Sequence, residues 1–197
     1  MLVYRDFAEQ LPDRRYGPGR LMQHGPVPAA AVSRLREVAL PHLRRLVDEL
    51  GETVNLMVLA GSDVRFVATV ECGQVLRVGD RTGRTLPAHL SSGGKAVLAL
   101  LPPAELTAAL GAVDEEAATR LRRELRTARS RGFAVNDRET ESGLTAVGVA
   151  VPDPAGPPSA AVSVAMPSVR CTRDRLRAWG RALAAAAESI ARDLATA

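Results

Sequence analysis

The segment Leu86–Leu101, LPAHLSSGGKAVLALL, changes its period in the middle, and the rest of the chain has to fold around that change. Up to Ser91 it is extended and interrupted by Pro87. From Gly94 onward Ala96, Val97, Leu100 and Leu101 recur at helical spacing. Ser91 and Ser92 are of the type that caps a helix N-terminus, and Gly93 and Gly94 let the backbone approach a neighbour or a ligand closely. The N–H groups of a first helical turn lack intrahelical acceptors and carry partial positive charge, so this turn is a candidate anion seat. Lys95, the only lysine among 26 basic residues, falls in the same turn. Its charge opposes the helix dipole by roughly 0.3–1 kcal/mol, a cost that a bound carboxylate would reverse. The plain alternative is a capped helix of the core.

On the N-terminal side, Val32, Leu35, Ala39, Leu43, Leu46 and Leu50 form a helical stripe that Pro41 is expected to break or kink and Gly51 to end. Such a stripe suits a linker and dimerisation helix, or a helix packed on the chain's own sheet. Residues Thr53–Ala60 and Val64–Glu71 read as strands around the turn Gly61-Ser62-Asp63, and Val75–Gly79 as a third short strand. On the C-terminal side, Ala104–Leu110 is a short helix and Asp114–Arg131 an amphipathic one closed by Gly132. Its Arg120, Arg122, Arg123, Arg126 and Arg129 read as a solvated face, interspersed with glutamates. Phe133–Asn136 is a strand, Leu144–Val151 and Ala160–Met166 flank the loop PDPAGPPS, and a helix capped by Thr172 ends the chain. Hairpins in place of regular βαβ crossovers predict an α+β fold, with a mainly antiparallel sheet and helices covering one face.

Composition narrows the class. A length of 197 residues with 46% hydrophobic content can bury a proper core, and 3% aromatics leaves that core to Val, Leu and Ala. The charge of +4 permits nucleic-acid contact without demanding it. Cys72 and Cys171 lack ligand-like spacing, and no apolar run is long enough to span a bilayer. The expectation is a soluble protein of the reducing cytoplasm, with no membrane role.

Catalytic and cofactor motifs are scarce. Ser92-Gly93-Gly94-Lys95 matches the S-x-x-K pattern of serine acyl-transfer enzymes, without its companion motifs. Asp137, Glu139 and Glu141 cluster without a His or Cys to complete a metal site, and Gly94-Lys95 is followed by Ala96 where a phosphate-binding loop needs Ser or Thr. No cofactor, no metal and no enzymatic activity are expected. His89, beside the pivot, could orient a ligand or be purely structural.

The segments RRYGPGRL, GETVNLMVL, LRVGDRTGRTLPAH, SSGGKAVLA, RSRGFAVNDRE and AAVSVAMP, in this order and spacing, resemble the IclR-type transcriptional regulators over nearly the whole chain. The resemblance implies a winged helix-turn-helix, a linker helix and a GAF-like effector domain with a curved antiparallel sheet. Here that divides as a wing remnant over 1–25, linker helices over 26–50 and an effector-binding domain over 51–197. It implies a homodimer or homotetramer that binds operator DNA and a small-molecule effector, commonly an organic acid. Carried over by position, Ser92 and Gly93 would offer N–H groups to a carboxylate. Asn136, Ala146 and Ser163 would form a polar wall, and Val75, Val78 and Leu86 an apolar one.

Departures qualify the resemblance. Members that bind small keto acids often carry Asp, Cys and Ser where this chain has Asn136, Ala146 and Ala165, which points to a larger or more apolar carboxylate. At the front, Phe7–Leu21 resembles the wing alone, with Arg14 and Arg15 at the tip of a short hairpin as the DNA-contacting candidates, or as a solvated turn. The first helices and most of the recognition helix have no counterpart. That leaves open a start inside a longer protein, or a stand-alone sensor.

Overall fold

Leu35, Ala39, Leu43 and Leu46 are buried along one side of helix α1 (Ala29–Leu50), which lies on the chain's own sheet. The structure, a computed structural model, describes residues 8–10, 16–18, 29–110 and 114–196. Pro41 does not divide α1: it sits on the exposed side, where its missing N–H costs one bond of the ladder without a steric conflict in the core. Gly51 ends the helix with φ of 68° and donates its N–H to the Val47 carbonyl.

Strands β1 (Ala8–Gln10) and β2 (Tyr16–Pro18) pair antiparallel on either side of residues 11–15. Arg14 and Arg15 lie outside the described residues. The main sheet is built from β3 (Thr53–Ala60), β4 (Asp63–Val70), β5 (Thr85–Pro87), β6 (Ala134–Asp137), β7 (Leu144–Asp153) and β8 (Gly156–Pro167). Its order is β5-β4-β3-β8-β7-β6, antiparallel throughout and curled into a half-barrel. The expected third strand over Val75–Gly79 is instead irregular; the edge strand is the shorter β5, paired with Asp63–Arg65. The loop expected over PDPAGPPS shrinks to a two-residue turn at Pro154-Ala155, with Asp153 Oδ1 accepting the Ala155 N–H at 2.9 Å.

Helices cover both faces, not one. Period-2 alternation sends Val54, Leu56, Val58, Val147, Val162 and Val164 to the face covered by α1 and by α5 (Arg173–Thr196), which adds Trp179, Leu183, Ala187 and Ile190. The opposite face carries Met57, Phe66, Ala150 and Ala161 under α2 (Ser92–Leu98), α3 (Pro103–Leu110) and α4 (Glu115–Arg131). The alanines in alternate strand positions allow this second layer, because small side chains leave room for α2 to sit on the sheet. Asp114 caps α4 through its side chain and Gly132 closes it at φ of 83°.

Candidate functional site

The α2 face of the sheet presents three cross-strand rows. The first runs Asn136–Ala146–Ala165–Thr53, the second Ala134–Gly148–Ser163–Asn55–Thr69, and the third Ala150–Ala161–Met57–Phe66. The third row depends on a bulge. Leu56 pairs with Ala68 but Met57 pairs with Phe66, so Val67 is the extra residue and Phe66 is turned to the side of Met57. Without that extra residue Phe66 would face α1. In the second row Thr69 donates to Asn55 Oδ1 at 2.9 Å.

Helix α2 is buried along its whole length over these rows. Ser91 is its N-cap, accepting the Gly94 N–H at 3.4 Å, and its hydroxyl lies 3.6 Å from the Met57 sulfur. A Cβ on Gly94 would collide with the Ala88 backbone, and one on Gly148 would come within 2.5 Å of the Gly93 nitrogen. The two glycines of the pivot thus serve helix-to-neighbour packing. Lys95 does not face an anion seat either. Its Nζ donates to Glu124 Oε2 at 2.8 Å, to Glu139 Oε1 at 2.5 Å and to the Val135 carbonyl at 3.3 Å, with the side chain 3% exposed. All three partners of Nζ lie elsewhere than Ser92, and among the described residues no hydrogen bond joins the two side chains. At the far end Arg129 caps α2 by donating Nε–H to the Ala99 carbonyl at 2.6 Å.

The loop from Glu71 to Arg84 closes the site from the sheet edge. Thr53 donates to the Val78 carbonyl at 2.6 Å, and Arg170, paired through two nitrogens with buried Glu52, reaches the Leu76 carbonyl at 2.9 Å. Glu52 holds the Arg170 guanidinium above its ordinary pKa through that side-chain bond. Glu71 accepts from Arg77 and from the Asp80 N–H, and these bonds lower its pKa. So pinned, the loop turns Arg81 inward. Its side chain is 9% exposed, and one guanidinium nitrogen lies 2.7 Å from Glu141 Oε1.

A cavity of about 20 Å³, room for one water molecule, lies among these groups. Its polar lining is Asn55, Arg81, Ser91, Ser92, Asn136, Thr140 and Ser163. Met57, Phe66, Leu86, Leu144, Ala146 and Ala165 complete it. Asn136 donates to Thr140 Oγ1 at 2.8 Å and accepts the Glu139 N–H at 2.9 Å, which folds the β6–β7 turn back over the opening.

Five of the predicted site residues therefore meet at one cavity: Leu86, Ser92, Asn136, Ala146 and Ser163. Three do not line it. Gly93 is packed between Met57 and Gly148, and Val78 forms a second layer with Leu144, Ala146 and Ala165. Val75 is 100% exposed at the bend of an irregular loop, because no strand forms there to turn it inward. Arg81 is not legible in the sequence: among Arg77, Arg81 and Arg84 nothing local distinguishes the one that is buried.

The acidic cluster of the β6–β7 turn is dispersed to separate partners. Asp137 takes Arg138 and Thr145, Glu139 takes Lys95, and Glu141 takes Arg81. Among the described residues no group of His, Cys, Asp and Glu is arranged to hold a metal ion.

Comparison with known proteins places this geometry. Residues 28–192 match the family described as bacterial transcriptional regulator IclR, C-terminal. The chain belongs to the IclR family. It is 34% identical over 166 residues to the acetate operon repressor of Salmonella typhimurium strain LT2, covering 79% of this chain and 61% of the repressor. The chain thus spans about three-fifths of that relative's length. The crystal structure of the Thermotoga maritima IclR superposes with a TM-score of 0.77 at 30% identity, over 98% of this chain and 81% of that one. An IclR homolog from Microbacterium hydrocarbonoxydans, solved in complex with 4-hydroxybenzoate, superposes with a TM-score of 0.73 at 25% identity, over 100% and 82%.

Within the IclR fold, Asn136, Ala146 and Ala165 form a single cross-strand row. One wall of the cavity therefore carries an amide and two methyl groups. Of the arginines read as the solvated face of α4, Arg120, Arg122, Arg123 and Arg126 are exposed, with Arg122 paired to Glu115, whereas Arg129 turns to the Ala99 carbonyl. No helix among the described residues is long and apolar enough to cross a membrane.

Proposed function

We propose that this chain is the effector-sensing and oligomerising part of a DNA-binding transcription regulator, and that the effector is an organic acid taken up at the cavity beneath α2, which widens from its present one-water volume to admit it. The observation that carries the reading is the convergence of Leu86, Ser92, Asn136, Ala146 and Ser163, scattered over the sequence, on one space of mixed polar and apolar lining. The 4-hydroxybenzoate complex of the Microbacterium hydrocarbonoxydans homolog supports an acid with an apolar body. So does the Asn136–Ala146–Ala165 row, whose one amide and two methyl groups leave that wall of low polarity.

The chain acts in the cytoplasm by shifting a dimer or tetramer between DNA-competent and incompetent geometries through α1, and not by catalysis. The pairing of Lys95 with Glu124 and Glu139 speaks against an acyl-transfer role for Ser92. Arg14 and Arg15 would add salt-sensitive phosphate contacts.

The test is a thermal-shift screen against aliphatic and aromatic carboxylates, followed by operator binding with the protein that includes any in-frame segment ahead of Met1. A ligand at 100 times its Kd adds about 2.7 kcal/mol. A hit that changes operator affinity supports the reading, and ligands that bind with no effect on DNA refute the regulatory half of it.

A further inference from the structure

We propose that Arg81 reads the effector's carboxylate and that Glu141 is its built-in stand-in, so that an acid binds by taking the place of the Glu141 carboxylate on the guanidinium. This rests on the cavity being the effector site. Among the residues that line it, Arg81 is the only one with a charged side chain. A guanidinium cannot shed its proton, so a buried one needs an anion beside it at all times. Glu141 supplies that anion at 2.7 Å, through a single oxygen.

The two partners are unequal. The Arg81 side chain is 9% exposed and Glu141 is 48% exposed. Glu141 can therefore swing into water at little cost, whereas Arg81 cannot be left alone. An incoming carboxylate satisfies Arg81 equally well, and its apolar body adds contact with Met57, Phe66 and Leu144 that Glu141 does not make. Exchange of one carboxylate for another is close to neutral, and the apolar body tips it.

The turn that carries Glu141 is built for partial release. Its near end is fixed, with Glu139 held by Lys95 and its N–H by Asn136. Its far end is held at Gly143, whose carbonyl accepts the Ser168 N–H at 2.7 Å. Between them Glu141 has Arg81 as its only ion-pair partner among the described residues, and Thr140 beside it lines the cavity. Thr140 is held by Asn136 and the Glu141 carbonyl by the Leu144 N–H, so binding would be reported by the Glu141 side chain alone, released into water.

The ligand class follows. With one cation and no second one in the lining, the site takes a monocarboxylate with an apolar body, and a dicarboxylate would bring an uncompensated charge.

Calorimetric titration with benzoate, 4-hydroxybenzoate, hexanoate and phthalate tests this on the wild type, Glu141→Gln and Arg81→Gln. If Glu141 occupies Arg81 about nine-tenths of the time, Glu141→Gln binds the monocarboxylates about 10-fold more tightly. Arg81→Gln should weaken them by at least about 10-fold, the loss of one charged hydrogen bond. Phthalate should bind the wild type more weakly than benzoate. Glu141→Gln keeps a neutral acceptor beside Arg81; if it fails to fold, the double variant Arg81→Gln/Glu141→Gln, which leaves no orphan charge, carries the Arg81 arm. Monocarboxylates that bind the wild type, with affinity unchanged in both single variants or weakened in Glu141→Gln, overturn the exchange while leaving the sensing site in place. No binding of any probe to wild type or Glu141→Gln overturns both.

Discussion

Gly148, at the centre of β7, lies so close beneath the Ser92–Gly93 peptide that a Cβ there would stand 2.5 Å from the Gly93 nitrogen and 2.6 Å from the Ser92 carbonyl oxygen. This contact sets how deeply α2 is seated, and with it the depth of the cavity beside Ser92. Both obstructing atoms are backbone, so no rotamer change relieves the clash. Gly148→Ala should cost about 3 kcal/mol, the upper end for an overpacked core, and lower Tm by about 6–12 °C. A calorimetric melt within a degree of wild type would show that α2 can lift without penalty.

The two glycines of the pivot should respond differently. A Cβ on Gly94 meets the Ala88 carbonyl, while one on Gly93 meets the far end of the flexible Met57 side chain. Gly94→Ala should abolish or severely reduce folded protein. Gly93→Ala should fold, with about 1 kcal/mol lost and Met57 displaced toward the cavity. Comparing soluble yield and urea midpoints of the pair checks the ranking, and equal losses would contradict it.

Lys95 and its two carboxylates give a comparison of a different kind. Lys95→Met removes a buried cation and leaves Glu124 and Glu139, 43% and 33% exposed, in reach of water. That should cost about 1–3 kcal/mol. Glu124→Gln/Glu139→Gln leaves the buried ammonium without a counter-ion, and should cost more, about 3–5 kcal/mol. Urea unfolding at constant pH decides the order; a milder double variant would mean the ammonium is solvated in the folded state.

Asp137 sets an acid-side dependence. The Arg138 side chain, with help from Thr145, holds its carboxyl below the ordinary 3.8. A carboxylate whose folded pKa is depressed stabilises the protein in full above its unfolded value, and that contribution disappears as pH falls through the folded value. Asp137→Asn should therefore lower Tm slightly at pH 7, where the contribution is present in full, and converge on wild type as pH falls below about 4; the effect is small because the group is exposed. Superimposable Tm curves for variant and wild type across the whole range would remove Asp137 from the account.

Much of the frame is legible in local sequence. The hairpin around Gly61, the α4 helix with Asp114 and Gly132 at its ends, and the Thr172-capped helix with Trp179, Leu183, Ala187 and Ile190 inward all follow from local rules. Three features depart from those rules: α1 continues through Pro41, no strand forms over Val75–Gly79, and helices cover both faces of the sheet. Each depends on where solvent lies, which a local pattern does not specify.

The sequence by itself determined most of the helices and strands, because periodicity and capping act within a few residues, but not the short edge strand Thr85–Pro87 or the continuity of α1 through Pro41. It also determined, through the order of its motifs, which family the chain joins. Tertiary structure alone decided that Phe66 looks into the site, since the bulge at Val67 exists only against Leu56 and Met57 of the neighbouring strand. It alone decided that Arg81 is the buried arginine of its loop and that Glu141, 60 positions later, is its partner. Pairings of that range follow from sheet register and loop anchoring. These are properties of the folded surface, on which similar local sequences such as Arg77 and Arg81 end on opposite sides of it.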